Sequence, residues 1–178
     1  MPAFINTHEH IYSSFARGLA INGYNPTGLL SILEGMWWTL DRNLTLNDTY
    51  LSAMATYIDS IKNGVTTVFD HHGKDKAKES VMENAEFIRH ALKDDSGMIA
   101  GMMGMHAQFT ISDETMELAA ANKPDEVGYH IHVAEGIEDL HHCLKHYGKR
   151  IVDRLMDFNI LGEKTLLGHC IYINPHEM

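Results

Sequence analysis

The sequence predicts an α/β fold, a (β/α)8 TIM-like barrel, on the strength of three observations. Predicted strands and helices alternate along the 178 residues, which is typical of a parallel sheet built from βα units. No GxGxxG turn is present, so a doubly wound nucleotide-binding sheet is disfavoured. A histidine also ends each predicted strand, on the side where a barrel builds its active site. These histidines are His10, His72, His106, His132 and His169.

The first part of the chain predicts two strands and one long helix. Phe4 to His10 is the first strand, and an irregular segment follows from Gly18 to Asn43. Thr45 and Asp48 form a capping-box-like helix start. The β-branched run from Val65 to Phe69 predicts the second strand. The helix between them has an apolar stripe that is expected to face inward: Leu51, Met54, Ile58 and Ile61.

The second part of the chain predicts three more strands separated by helices. A charged helix comes first, with an inward face of Val81, Ala85, Ile88 and Leu92. The remaining predicted elements are a buried strand from Met98 to Met105, a helix from Ser112 to about Ala121, a strand from Gly128 to Val133, a two-piece helix from Ile137 to Phe158 and a strand from Thr165 to Gly168. Leu140, Leu144 and Tyr147 are expected to face inward from the first helical piece.

Composition and charge exclude several classes of function. The chain is 44% hydrophobic and 21% charged, as is ordinary for a soluble domain. Its net charge of −10 argues against nucleic-acid and anionic-membrane partners. Apolar runs are too short for a membrane span, and no signal peptide is expected before the first strand. Cys143 and Cys170 have no CxxC spacing, which indicates reduced thiols and a cytoplasmic protein.

The first strand carries two histidines, His8 and His10, separated by one residue. Residues i and i+2 of a strand point to the same face, so both imidazoles can lie side by side and begin a metal site. His132 ends a later strand, and three protein ligands with one open position describe a catalytic zinc centre. His130 points the same way as His132 but one layer deeper, where barrel filling is expected.

Five segments in register resemble the amidohydrolase superfamily, and more narrowly its cytosine/guanine deaminase and chlorohydrolase branch. They are Asn6 to His10, Arg17 to Leu19, Gly64 to Thr67, His130 to Glu135 and Gly168 to Cys170. The stretch from Phe15 to Arg42 is similar to the SsnA group of aminohydrolases within that branch. The resemblance covers nearly the whole chain and implies a barrel of the metal-dependent hydrolase type.

The resemblance also implies roles for single residues. His8, His10 and His132 match the metal ligands, and Glu135 matches the carboxyl proton shuttle. His169 matches the histidine that sits over the metal and polarises the bound substrate. The implied cofactor is one divalent metal ion, with zinc favoured and iron as the alternative. For His106, substrate contact and packing at the top of the barrel both stay open.

The implied reaction is the hydrolytic deamination of a nitrogen heterocycle, purine-like or pyrimidine-like. A divalent metal lowers the pKa of its bound water to about 7, so the resulting hydroxide can attack an amidine-like ring carbon. Glu135 would then protonate the ring nitrogen and the departing ammonia. Chlorohydrolase or amide hydrolase activity on the same site is the alternative. The expected partner is a small heterocyclic substrate, and a homo-oligomer stays open.

The chain departs from the family pattern in ways that predict a partial barrel over residues 1–178. Such a barrel typically needs about 250 residues. The family has a flanking β-sandwich and, on its eighth strand, an aspartate that is both metal ligand and general base. It also has a helix and a third strand where this chain has only Gly73. The chain is therefore expected to supply strands one, two, four, five and six, and to be inactive on its own.

Overall fold

The computed structural model describes residues 1–71 and 77–178, in two compact units, Met1–His72 and Gly73–Met178. His72, which is expected at the end of the second strand, lies outside the described residues. Gly73, where the family has a helix and a third strand, lies outside them as well. Among the residues described, no helix is both long and apolar enough to cross a bilayer.

The first unit is built on a two-stranded parallel sheet. Its elements are β1 (Phe4–Glu9), a 3-10 helix (Ile11–Ala16), α1 (Leu29–Ile32), a π-helical turn (Leu33–Trp37), α2 (Trp38–Asn43), α3 (Leu46–Lys62) and β2 (Val65–Asp70). Phe4 lies opposite Val65, and Glu9 lies opposite Asp70. The amide of His71 then donates to the carbonyl of Glu9 at 2.8 Å, so both strands end at the same edge.

The prediction of an irregular segment from Gly18 to Asn43 is wrong for its second part. The chain is helical from Leu29 to Asn43. Three helix-breaking residues, Gly23, Pro26 and Gly28, precede Leu29 and confine the irregular stretch to its N-terminal side, whereas Gly35 is accommodated in the π-helical turn.

Helix α3 begins as predicted but buries a different face. Thr45 accepts a hydrogen bond from the Asp48 amide, and Asp48 accepts from the Thr45 amide, which completes the capping box. The predicted inward stripe is wrong, because all four of its residues are exposed; they are Leu51, Met54, Ile58 and Ile61. Ser52 and Thr56 are buried instead.

Local hydrogen bonds explain the buried face of α3. The Ser52 hydroxyl donates to the carbonyl of Ile11 at 2.7 Å and accepts from the amide of Ser14 at 2.7 Å. Since these backbone groups of the 3-10 helix need partners, the small polar face of α3 turns toward them.

The second unit contains a three-stranded parallel sheet in the order β3-β4-β5. Its elements are α4 (Ala77–Ala91), β3 (Met103–Ala107), a 3-10 helix (Gln108–Thr110), α5 (Asp113–Asn122), β4 (Tyr129–Val133), α6 (Ile137–Tyr147), α7 (Ile151–Asp157) and β5 (Leu166–His169). The order of strands and helices is the one the sequence predicts. Ser112 caps α5 as expected, with its side chain accepting from the Thr115 amide.

The hydrophobic core of this unit surrounds β4, whose five residues are all buried. Val81, Ala85 and Ile88 of α4 join it as predicted, whereas Leu92 is exposed because it lies past the end of the helix. Leu140 is buried and Tyr147 packs against the core, as expected. The expectation for Leu144 is wrong, since its side chain is exposed.

Strand β3 begins later than predicted. Met98 is 84% exposed, and the strand runs over Met103–Ala107, because only this part of the apolar run pairs with β4. Met105 lies opposite Ile131 and Ala107 lies opposite His132, so β3 carries an extra residue, His106, at a β-bulge. His106 therefore lies inside β3 rather than at its end. Bulges of this kind re-aim a side chain and occur often beside active sites.

Candidate functional site

In the first unit, three histidines gather where β1 and β2 end. His8 lies in β1 and His10 directly follows it, with ring centroids 5.0 Å apart and nearly perpendicular. The register of the two strands shifts between Asn6 and Glu9, so strict alternation does not hold there, yet the imidazoles still lie side by side. The ring of His71 is 5.7 Å from that of His8 and 5.6 Å from that of His10.

A hydrogen bond to the backbone fixes the tautomer of His10. Its Nδ1 lies 2.5 Å from the carbonyl oxygen of His71. Because a carbonyl can only accept, Nδ1 carries the proton and the lone pair resides on Nε2. Metal-ligating histidines commonly make this kind of bond with their other nitrogen, since it orients the ring and raises ligand basicity. The chemistry of this pair of imidazoles therefore fits a divalent metal ion.

In the second unit, the three strands bring three histidines together. The rings of His132 and His169 are stacked, with centroids 5.3 Å apart and an interplanar angle of 15°. The ring of His106 lies 5.6 Å from that of His132. His106 Nδ1 is 2.9 Å from the hydroxyl of Thr110, which itself donates to the carbonyl of Ala107. Because the Thr110 hydroxyl donates its proton to Ala107, it can only accept from His106, and His106 Nδ1 is therefore the donor.

Glu135 lies beside this cluster. Its carboxylate is 3.5 Å from His169 Nε2, and both side chains are partly exposed. A carboxyl group and an imidazole at this distance can form an ion pair when the imidazole is protonated, and both stay accessible to a small molecule. The second unit therefore groups His106, His132, Glu135 and His169, which are all candidate residues from the sequence.

The backbone around Glu135 and His169 adopts an unusual conformation. Ala134, His169 and Cys170 have φ values of 51°, 70° and 55°, in the left-handed region that residues other than glycine rarely adopt. The amide of Cys170 donates to the carbonyl of Val133 at 2.8 Å and ties the end of β5 to the end of β4. Residues held in such conformations cluster at functional sites, where the surrounding structure maintains them.

A buried carboxyl group, Asp139, lies near this turn and was not predicted from the sequence. It accepts hydrogen bonds from the Gln108 side chain and from the amide of Ala134. Burial outweighs these bonds and raises the pKa of Asp139 from 3.8 to about 6. The sequence does not indicate that Asp139 is buried, because it lies in the first turn of α6, where acidic residues are common.

The raised pKa of Asp139 predicts a pH dependence of stability. The native state holds this proton more tightly than the unfolded state, so the stabilisation is complete below about pH 4 and is lost as pH rises to about 6. We expect the free energy of unfolding of the wild type, relative to Asp139→Asn, to fall by up to about 3 kcal/mol over this range. Denaturant titrations at several pH values measure it, and parallel curves for the two proteins would contradict the expectation.

The two cysteines are free thiols in the structure, as predicted. Cys143 is buried in α6, and burial raises the pKa of its thiol to about 11. The thiol therefore stays protonated at neutral pH, and Cys143 has the character of a core residue.

Comparisons with known proteins match the whole chain. A model of the amidohydrolase family covers residues 1–178. A 5'-deoxyadenosine deaminase of Methanosarcina mazei is 28% identical over all of this chain and 47% of its own length. A 5-methylthioadenosine/S-adenosylhomocysteine deaminase of Syntrophomonas wolfei is likewise 28% identical, with 47% of its length covered. The chain thus spans about half the length of the curated relatives it matches.

Solved structures show the same fold. An adenosine deaminase from Xanthomonas campestris with bound zinc matches 99% of this chain and 46% of its own, with a TM-score of 0.81 and 16% identity. An atrazine chlorohydrolase from Arthrobacter aurescens complexed with zinc matches 99% of this chain and 50% of its own, with a TM-score of 0.71 and 19% identity. The predicted fold class, α/β of the TIM-barrel type, is confirmed, and the chain corresponds to about half of such a fold. Since the family model matches every residue, the chain belongs to the amidohydrolase family.

Proposed function

We propose that the protein is a metal-dependent aminohydrolase that releases ammonia from an adenine nucleoside or a closely related heterocycle. One observation carries the proposal: Glu135 and His169 are 3.5 Å apart beside the ring of His132, at the ends of two adjacent parallel strands. A carboxyl group and an imidazole in this arrangement suit proton transfer to a bound ring. The names of the relatives, deaminases of adenosine derivatives, support the substrate class.

His8, His10 and His132 would hold one divalent metal ion, with zinc favoured. The tautomer of His10 supports this assignment, because its lone pair resides on Nε2. Two structures of similar fold are described with zinc. When bound, such an ion lowers the pKa of a water molecule to about 7 and so supplies a nucleophile at neutral pH.

The side chains of the second unit would carry the proton steps. Glu135 would pass one proton of the attacking water to the ring nitrogen of the substrate and the other to the departing amino group, since its carboxyl group lies within reach of solvent and of His169. His169 would hold and polarise the substrate. His106, which the bulge in β3 re-aims, would contact the substrate from the neighbouring strand.

The five strands would correspond to strands one, two, four, five and six of the family barrel. The alignment with the Methanosarcina mazei deaminase supports this assignment, because it runs over 206 residues while this chain has 178. The relative therefore carries residues within the matched region that have no counterpart here. A cytoplasmic location for the protein fits its two free thiols.

Chloride release is the second candidate activity, and the likeness to an atrazine chlorohydrolase favours it. Both reactions replace a leaving group on an electron-poor ring carbon with oxygen. Measuring ammonia and chloride release in parallel, from adenosine and from a chlorinated triazine, separates them.

The proposed ligand set predicts which histidine substitution removes the metal. We expect His132→Gln to lose most of the bound zinc, because an amide is a much weaker ligand than imidazole. His130→Gln is the matched control, since His130 lies in the same strand and is also buried. Metal analysis after gel filtration measures the retained zinc. Equal zinc content in the two variants would remove His132 from the ligand set.

A further inference from the structure

We propose that three buried residues, Gln108, Asp139 and Arg154, form a positioning network that fixes the turn carrying Glu135. The inference rests on the proposed role of Glu135 in proton transfer. Each of the three is almost completely buried in the second unit. They come from the 3-10 helix after β3, from α6 and from α7.

The network reaches the turn through Asp139. Its Oδ2 accepts a hydrogen bond from the amide of Ala134 at 2.8 Å. Ala134 directly precedes Glu135 and has a φ of 51°, in the left-handed region that is unfavourable for a residue with a Cβ. Because the hydrogen bond holds the peptide of this strained residue, it determines the direction in which the chain presents Glu135.

Gln108 orients the carboxylate of Asp139. Its Nε2 donates to Asp139 Oδ1 at 2.5 Å and to the backbone carbonyl of Asp139 at 2.9 Å. Its Oε1 accepts from Arg154 Nη1 at 2.6 Å. Both ends of the amide have obligatory partners, so the side chain has only one orientation. Gln108 lies two residues after His106, and the network thus links the end of β3 to the end of β4.

Arg154 anchors the other end. Its guanidinium group donates to the carbonyls of Gln108 and Ile111 at 2.8 and 2.9 Å and to Asp113 at 2.7 Å. It also lies 3.6 Å from the centroid of the Tyr147 ring. A buried cation with this many fixed partners is rigid, because any rotation would leave several polar groups unpaired.

The location of the network indicates that it positions Glu135 and does not only stabilise the fold. Buried charged groups add little stability compared with apolar residues of similar volume. The hydrogen bonds of this network run without interruption from the guanidinium group of Arg154 to the amide of Ala134, the residue before Glu135. Supporting hydrogen bonds of this kind hold catalytic groups in the geometry that the reaction needs.

A reciprocal exchange tests the network in the natural polypeptide that carries this sequence. Asp139→Asn sets an amide N–H group against the Nε2 of Gln108, and we expect kcat to fall by about 10–100-fold with little change in KM. Adding Gln108→Glu reverses donor and acceptor at unchanged net charge. The introduced carboxylate can accept from the new amide and from Arg154, but it loses the hydrogen bond to the backbone carbonyl of Asp139, so kcat should recover only in part. Asp157→Asn, at an exposed position of α7, is the charge-matched control.

An activity-independent measurement separates this inference from the proposed function. Amide hydrogen exchange at Ala134 should accelerate in Asp139→Asn, return toward wild type in the double variant and stay unchanged in Asp157→Asn. If the wild type releases no ammonia, the proposed function fails, and unaltered exchange at Ala134 would overturn the network as well. If the wild type is active, Glu135→Gln is inactive and Asp139→Asn keeps full kcat, the network proposal alone is overturned.

Discussion

Replacing Glu135 with glutamine is expected to abolish nearly all turnover while leaving metal binding intact. An amide cannot shuttle a proton, and loss of a positioned acid or base typically costs about 10²–10⁴-fold in rate. Glutamine keeps the size of the side chain, and Glu135 is partly exposed, so the fold should tolerate the change. Ammonia release at saturating substrate measures the effect, together with zinc content.

Glu163→Gln is the matched control for this experiment, because Glu163 is an exposed glutamate in the same unit. It should leave both zinc content and turnover unchanged. Full activity in Glu135→Gln would remove Glu135 from the mechanism. Loss of zinc along with activity would instead assign Glu135 to the metal site.

Replacing Arg154 with alanine is expected to cause the largest loss of stability among single substitutions in the network. The change removes the Arg154 donor from Gln108 Oε1 and from the carbonyl of Ile111, leaves the carbonyl of Gln108 with only the amide of Ile111, and removes the stacking on Tyr147. Removing one partner of a buried charged network typically costs about 3–5 kcal/mol. The free energy of unfolding, from denaturant titration, is the quantity to compare.

Arg89→Ala provides the comparison for Arg154→Ala. Arg89 is exposed on α4 and donates to the carbonyl of Asn122. A surface substitution of this kind should change stability by no more than about 0.5 kcal/mol. Equal destabilisation by the two substitutions would show that the buried network contributes nothing beyond an ordinary surface contact.

The order of the five strands, and of the helices in the second unit, was predictable because each strand has a strong local signal. Val65 to Phe69 is β-branched and follows a helix that Gly64 ends, and β4 is a short apolar run with histidines on one face. The N-caps of α3 and α5, Thr45 and Ser112, were also predictable from local sequence. Capping is determined by residues that are only three or four positions apart.

Burial was less predictable, because it depends on partners distant in the sequence. The apolar stripe of α3 has the right helical period, yet Ser52 is the residue whose hydroxyl pairs with the backbone near Ile11. Similarly, the apolar run from Met98 predicted a strand, but only the part that pairs with β4 forms one. Hydrophobic periodicity predicts which residues share one face of a helix or strand, but it does not predict whether that face is buried.

The residues of the candidate site were predictable from the sequence, but the buried hydrogen-bond network beside them was not. His106, His132, Glu135 and His169 were all named from the sequence, and the second unit brings them together. Their roles in catalysis and metal binding stay predictions. Asp139 and Arg154 gave no signal, since an acidic residue near a helix start and an arginine on an amphipathic helix are usually solvated.

The most direct test of the account is a measurement of ammonia release by the natural polypeptide that carries this sequence. The zinc-loaded protein is incubated with adenosine, 5'-deoxyadenosine and a pyrimidine nucleoside, and ammonia is measured against the loss of substrate. The account predicts one ammonia for each adenine nucleoside consumed, with a rate that falls to background in Glu135→Gln. An absence of ammonia from every heterocycle, with zinc bound and the protein folded, would contradict the proposed function.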